Sequence, residues 1–255
     1  MEIANNTFIV TGGASGLGEA TTRAIVTAGG NVLIADMNAE KANELVAELG
    51  SAVQFSSTNV TDDADCAAAV AAAKAMPGNI AGLVCCAGVG VPQKVLGRDG
   101  VISSGDFMKV INVNLLGTFN MIRLTAEAMS TQPANDGNER GVIINTASVA
   151  AFDGQIGQPA YAASKAAVVG MTLPLAREFS RFGIRVMTIA PGLFLTPMMA
   201  QLPEEAQQSL GAQVPFPPRL GEPSEFAQLV QQIVENPMLN GETIRLDGAI
   251  RMTPK

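Results

Sequence analysis

The chain of 255 residues sets 16 Lys and Arg against 23 Asp and Glu, a net charge of −7, with 47% hydrophobic and 15% charged residues. That balance supports a sizeable core and argues against disorder, and an acidic chain without a Lys/Arg cluster argues against a nucleic-acid partner. The absence of His excludes Ser-His-Asp and Cys-His nucleophile systems and every His-ligated metal site; three Cys (Cys66, Cys85, Cys86) are too few for a four-thiolate zinc site, so no metal is expected.

No apolar run reaches the ~18 residues of a membrane span, and Met1–Thr11 lacks the basic and apolar parts of a secretion signal. A sparse, odd Cys count fits a reducing cytosol, so the expected location is cytoplasmic. Proton chemistry falls to carboxylates, Lys, a thiol or Tyr161, the one tyrosine.

The first predicted strand, Thr7–Thr11, runs straight into Thr11-Gly12-Gly13-Ala14-Ser15-Gly16-Leu17-Gly18, which opens a helix over Gly16–Ala28. Glycines between a strand and a helix let the backbone turn tightly and approach a pyrophosphate, and the helix N-terminus offers free N–H donors. On its own the cluster fits an ordinary strand-to-helix turn equally well. The second strand, Asn31–Asp36, ends in a carboxylate that can accept hydrogen bonds from both ribose hydroxyls of an adenosine. It would repel a 2′-phosphate, and the following residues, Met37 and Asn38, supply no cation, which favours NAD over NADP. The alternative is an Asp that makes a strand-end turn.

The next helix, Ala39–Leu49, has Asn38 as N-cap and Gly50 just past its end. Strands over Val53–Ser57 and Ile80–Cys86 enclose a helix over Asp62–Met76. Gly88–Ser104 reads as a polar loop and Gly105–Ser130 as a long helix. In that helix Asn114 falls in the stripe Phe107, Ile111, Asn114, Thr118, Met121, where a buried amide must find partners. It is either a satisfied core amide or the holder of a water that links Lys165 to solvent.

A surface turn over Thr131–Arg140 precedes the strand Val142–Ala147, at whose end Ser148 stands where open parallel sheets place ligands. A capping role is the alternative for Ser148. The helix Pro159–Phe182 begins with Tyr161-Ala162-Ala163-Ser164-Lys165, so Tyr161 and Lys165 share a face. A phenol of pKa ~10 is a poor base at neutral pH. A neighbouring ammonium and an oxidised nicotinamide lower that value, so that Tyr161 can take a hydroxyl proton while hydride leaves carbon. A packing Tyr beside a solvated Lys is the alternative. Strands Ile184–Ala190 and Thr243–Leu246 complete the pattern. Between them the proline-rich stretch Gly192–Leu220, with Met198, Met199, Leu202, Leu210, Val214 and Phe216, is expected to form a mobile lid over an apolar ligand. The alternation of strands and helices, with no repeat or linker, predicts one domain over 1–255, an α/β doubly wound parallel sheet of about seven strands flanked by helices.

Taken together, TGxxxGxG, Asp36, the turn Cys85-Cys86-Ala87-Gly88, Asn114, Ser148, YxxxK at 161–165 and Pro191-Gly192 resemble the short-chain dehydrogenase/reductase family, a Rossmann fold, over essentially the whole chain. Gly141–Phe152, Ile184–Phe194, Gln213–Pro223 and Asn240–Met252 are similar to a group within it, the type II 3-hydroxyacyl-CoA dehydrogenases, also known as type 10 17β-hydroxysteroid dehydrogenases. The resemblance implies NAD-dependent oxidation of a 3-hydroxyacyl-CoA to its 3-oxo form, a homotetramer, and an alternative activity on hydroxysteroids or other secondary alcohols.

The resemblance also assigns residues. It puts Gly12, Ser15, Gly16, Leu17 and Gly18 at the pyrophosphate, Asp36 at the ribose, Asn59 and Val60 beside the adenine, and Cys86, Gly88 and Pro191 in cofactor-contacting turns. Phe194 and Thr196 hold the carboxamide. Tyr161 is the acid/base, Lys165 binds the nicotinamide ribose, Ser148 orients the substrate oxygen and Asn114 completes a proton relay. Asn59 stands where many members carry Asp and is expected to accept a hydrogen bond from the adenine amino group. Cys85 stands where many carry Asn, which puts local sheet hydrogen bonding in question. Gln155 is expected to line the acyl pocket. Lys94, Arg98 and Lys109 are either contacts for CoA phosphates or a solvated face.

Overall fold

The computed structural model describes residues 1–98, 100–200 and 202–254, and of Met198 the backbone alone. β1 (Thr7–Thr11) leads into α1 (Gly16–Thr27), β2 (Asn31–Asp36) into α2 (Ala39–Leu49), and β3 (Val53–Ser57) into α3 (Asp63–Lys74). β4 (Ile80–Cys85) is followed by an antiparallel hairpin, β5 (Leu96–Gly97) and β6 (Gly100–Val101), inside the stretch expected to be loop. Then come α4 (Ser104–Ile111), a π-helical turn (Asn112–Leu116), α5 (Gly117–Thr131), β7 (Gly141–Thr146) and α6 (Pro159–Phe179). β8 (Ile184–Pro191), α7 (Pro197–Ala200), α8 (Glu204–Gly211), α9 (Pro223–Glu235) and β9 (Thr243–Leu246) close the chain.

Seven strands form one parallel sheet in the order β3-β2-β1-β4-β7-β8-β9. Chain order reverses between β1 and β4, and the crevice over the carboxyl ends of the strands at such a reversal is where open α/β sheets take ligands. Every residue of β1, β4 and β8 is buried, as suits strands that are mostly apolar and covered on both faces. Successive side chains feed opposite layers. Val10, Ile34, Val84 and Ile144 pack with Ile25 of α1 and with Phe226, Val230 and Ile233 of α9. Ile9, Leu33, Leu83 and Ile143 pack with Val70 of α3 and with Met121, Ile122 and Met129 of α5. Truncating one of these Ile or Leu side chains to Ala costs about 2–5 kcal/mol.

Asn38 caps α2 as expected, its Oδ1 accepting from Lys41 N at 3.1 Å, and Gly50 takes the positive φ of +73° past the helix end. Elsewhere the structure departs from the sequence reading. The helix expected over 105–130 is interrupted by the π-helical turn, which holds Asn114. α9 was not expected. It starts at Pro223, whose missing N–H is no loss in the first turn, and Glu222 and Glu225 form a reciprocal capping box. It lies beside α1, with Gln231 Nε2 donating to Ala24 O at 3.2 Å. Arg185 of β8, 6% exposed, collects carbonyls of the last turn of α9 and of the segment after it: Nη1 donates to Ile233 O and to Leu239 O beyond the helix, and Nη2 to Val234 O, each at 2.8 Å. Glu139 balances that buried guanidinium at 2.5 Å. The expected lid stretch contains α7 and α8, with Leu202 and Phe216 exposed but Val214 buried. Among the described residues no helix is long and apolar enough to cross a membrane.

Candidate active site

The turn between β1 and α1 is built for close backbone approach. Gly12 has φ of +62°, and a Cβ there would stand 2.9 Å from the Ala87 nitrogen; a Cβ on Gly18 would run into the Gly12 carbonyl. Thr11 Oγ1 accepts from Ala87 N at 3.1 Å, which ties this turn to the one after β4. Ser15, the N-cap of α1, makes no side-chain capping bond, so the first N–H groups of the helix are available to an anion.

At the end of β2 the Asp36 carboxylate is held in place: Oδ2 accepts from Ala14 N at 3.0 Å and Oδ1 from Asn38 N at 2.9 Å. Each oxygen keeps a lone pair for a ribose hydroxyl. Both features face a cleft of about 440 Å³. It gathers Gly12, Ser15, Gly16, Leu17 and Gly18 with Asp36, Asn59, Val60, Cys86, Gly88 and Thr196, and Asp36 is the one charged side chain among its described lining residues. A glycine cradle, an uncapped helix N-terminus and a single ribose-directed carboxylate fit a dinucleotide.

Phe194 and Pro191 are not among the lining residues. Phe194 is 7% exposed, its ring packs over Gly221, and it lines a separate cavity of about 110 Å³ with Val214 and Leu246. Asn59 also departs from expectation. Its Oδ1 already accepts from Thr61 N at 3.1 Å and Thr61 Oγ1 at 2.9 Å, so it is not available to an adenine amino group.

The proton chemistry lies at the carboxyl end of β7. Lys165, buried on α6, donates to Thr146 O at 2.7 Å, and its Nζ stands 5.8 Å from the Tyr161 ring centroid. Burial pushes the Lys165 ammonium down to about 8. Burial also raises the Tyr161 phenol above its usual value, and a hydrogen bond with Ser148 offsets part of that. The lowering expected from Lys165 is therefore not supplied by the protein side chains alone, because desolvation is the larger effect here. Ser148 Oγ also accepts from Ala150 N at 3.1 Å, so it joins the capping and site roles that the sequence left as alternatives.

Asn114 is fully buried, and its amide makes three hydrogen bonds within the protein. Oδ1 accepts from Val89 N at 2.8 Å, and Nδ2 donates to Val89 O at 2.9 Å and Ser164 Oγ at 3.0 Å. Its side chain thus clamps the segment after β4 to the helices. Ser164, which the sequence reading quoted but gave no role, passes this network to Tyr161 O at 2.7 Å. Its signal was a polar residue three positions after Tyr161, on the face that turns inward.

The thiols are poor nucleophiles. Burial pushes Cys86 up to about 11 and Cys85 higher still. Cys85 occupies a fully paired strand position, in register with Thr11 and Asn145. Gln155 is tied down rather than free: Nε2 donates to Thr253 O at 3.0 Å. It shares an open groove of about 540 Å³ with Lys94, whereas Lys109 lines a different one of about 70 Å³; Lys94, Arg98 and Lys109 are all exposed.

The family described as short chain dehydrogenase matches residues 6–207. The chain is 54% identical, over 99% of its own length and 100% of the relative's, to the 3-hydroxyacyl-CoA dehydrogenase type-2 of Drosophila melanogaster. Among solved structures, the 3-hydroxyacyl-CoA dehydrogenase type-2 from Mycobacterium avium superposes with a TM-score of 0.95 at 46% identity, over 98% of both chains. A 3-ketoacyl-(acyl-carrier-protein) reductase from Brucella melitensis, complexed with NADH, has a TM-score of 0.87 at 25% identity over 98% of this chain and 100% of that one.

Proposed function

The chain belongs to the short-chain dehydrogenase family, and on that premise we propose that it oxidises 3-hydroxyacyl-CoA to 3-oxoacyl-CoA with NAD as the hydride acceptor. It is an oxidoreductase that uses a nicotinamide cofactor. The substrate reading rests on one observation, the full-length similarity to 3-hydroxyacyl-CoA dehydrogenases at up to 54% identity in a chain whose Ser148, Tyr161 and Lys165 are intact. The choice of NAD is supported by Asp36, held by two backbone N–H groups in a cleft with no Lys or Arg among its described lining residues.

When bound, the nicotinamide ring supplies the hydride acceptor. Ser148 donates a hydrogen bond to the substrate oxygen and sets it beside Tyr161. Tyr161, as phenolate, takes the hydroxyl proton in the oxidative direction and, as phenol, returns it in the reductive one. Lys165 spends one N–H on Thr146 O and keeps two for a ribose hydroxyl. Asn114 acts through structure: it holds Val89 and Ser164, and so the walls of the Tyr161 pocket, in place. Phe194 acts through its backbone, since its ring belongs to the core. A cytoplasmic location and a homotetramer complete the reading; the three free cysteines support the first, and the exposed Met108, Leu116, Phe119 and Leu173 the second.

The test is a side-by-side assay of acetoacetyl-CoA reduction with NADH, NADPH, and a hydroxysteroid with NAD. Turnover of the CoA ester with NADH well above both other rates is expected; no turnover of the CoA ester overturns the reading.

A further inference from the structure

Asn59 closes the loop after β3 and lines the cleft with Asp36, Met37 and Val60. Its amide orientation is fixed by chemistry. Thr61 N is a donor only, so the atom facing it at 3.1 Å is the acceptor Oδ1, and the Thr61 hydroxyl adds a second bond at 2.9 Å. The loop cannot turn away, because Asn59 N donates to Asp65 Oδ2 at 3.0 Å, and Asn120, on α5, donates to Val60 O at 3.1 Å. A flipped amide would set Nδ2 against the Thr61 N–H and lose that bond, since a backbone N–H cannot accept. What remains free is the Nδ2 pair of N–H donors, for which no acceptor stands among the described residues. Next to it, Met37 and Val60 supply apolar surface of the kind a planar base packs against.

We propose that Asn59 reads the base edge of the bound dinucleotide as a hydrogen-bond donor, so that a 6-oxopurine dinucleotide binds as readily as the 6-aminopurine one. This rests on reading the cleft as a dinucleotide site with the adenosine ribose at Asp36. Adenine presents an amino donor at its 6-position and acceptors at its ring nitrogens. Nδ2 serves a ring nitrogen and cannot serve the amino group. Hypoxanthine carries a carbonyl acceptor at the 6-position, which Nδ2 serves directly. An Asp in the same turn would keep one oxygen on Thr61 and turn the other, an acceptor, toward the base, so Asn59→Asp creates a preference for the 6-aminopurine with little change in shape.

Titration calorimetry suits a chain without Trp. NAD and nicotinamide hypoxanthine dinucleotide are titrated into the apoprotein and into the Asn59→Asp variant. The wild type is expected to bind the two within about threefold, and the variant to favour NAD by roughly tenfold, the size of one hydrogen bond to a charged group. A wild-type preference for NAD of tenfold overturns the proposal while leaving the cleft reading intact, and so does a variant that binds both alike. Failure of NAD itself to bind overturns the cleft reading, and the proposal with it. The wild-type ratio decides the matter should the variant misfold.

Discussion

Tyr161 carries the chemistry on a single oxygen, so its removal is diagnostic. Tyr161→Phe keeps the half-buried ring and removes the acid/base; kcat falls about 10²–10⁴-fold while calorimetric NAD affinity stays within a few-fold. Because burial holds the phenol above its usual pKa, the oxidative rate climbs with pH through the alkaline range while reduction does not, which initial rates in both directions check. Lys165 makes a separate statement about stability. Its folded-state value of about 8 lies below the ordinary 10.5, so between these limits the unfolded chain holds a proton that the folded chain has released. Stability contributed by this group therefore rises with pH across that window, and its charge is a cost below it. Cys85 and Cys86, raised by burial, act in the opposite sense. The Lys165 effect is read as the difference between wild type and Lys165→Met in urea unfolding: the variant gains relative stability below pH 8 and loses that advantage toward pH 10.5. The placement of Tyr161, Lys165, Ser148 and Asp36 was legible in the sequence because each sits at a fixed offset from a strand end or on one helical face. The sense of the Asn59 amide was not, since it depends on a turn closed by Thr61. Nor was the burial of the Phe194 ring, which depends on Gly221, 27 positions away.

Elements divide the same way. The seven strands of the main sheet were readable because most are short apolar runs, those of β1, β4 and β8 buried throughout, and their ends fell within one residue of the expected positions; the exposed β5 and β6 carry no such signal. α9 was missed although Phe226, Val230, Ile233 and Val234 stand at helical spacing. The proline-rich stretch read from the sequence ends at Leu220, and Pro223, a residue that breaks helices elsewhere, begins this one. The π-helical turn has no periodic signature at all, since one inserted residue shifts the stripe without breaking it. Arg185 joins α9 to the sheet through three carbonyls and Glu139. Arg185→Met takes the guanidinium donors from Ile233 O and Leu239 O and leaves the Glu139 carboxylate and Val234 O to the Met1 ammonium alone, and costs about 1–3 kcal/mol in chemical denaturation. A loss under 1 kcal/mol would show that the cap contributes little.

For the whole molecule the open matter is assembly. Leu116 and Phe119, three residues apart at the join of the π-turn and α5, share a face and are 43% and 39% exposed, and Leu173 on α6 is 44% exposed. Apolar groups on neighbouring helices suit a partner copy. Sedimentation of the wild type is expected to give a tetramer and Phe119→Glu a smaller species; a monomeric wild type removes the idea. Fold class followed from the sequence because alternating strands and helices admit few topologies. Subunit number did not, because the pattern of a single chain says which faces are apolar and not how many copies meet there.

The contact between α1 and α9 sets a timetable for synthesis. Gln231 reaches Ala24 across 207 positions, so the flank of the first helix that β1 and β2 leave open stays uncovered until the last helix leaves the ribosome. At roughly 5–20 residues per second that delay is about 10–40 s. Throughout it the cofactor turn hangs on an unfinished layer, and a nascent chain paused before Pro223 is a natural client for a chaperone that shields sticky helices.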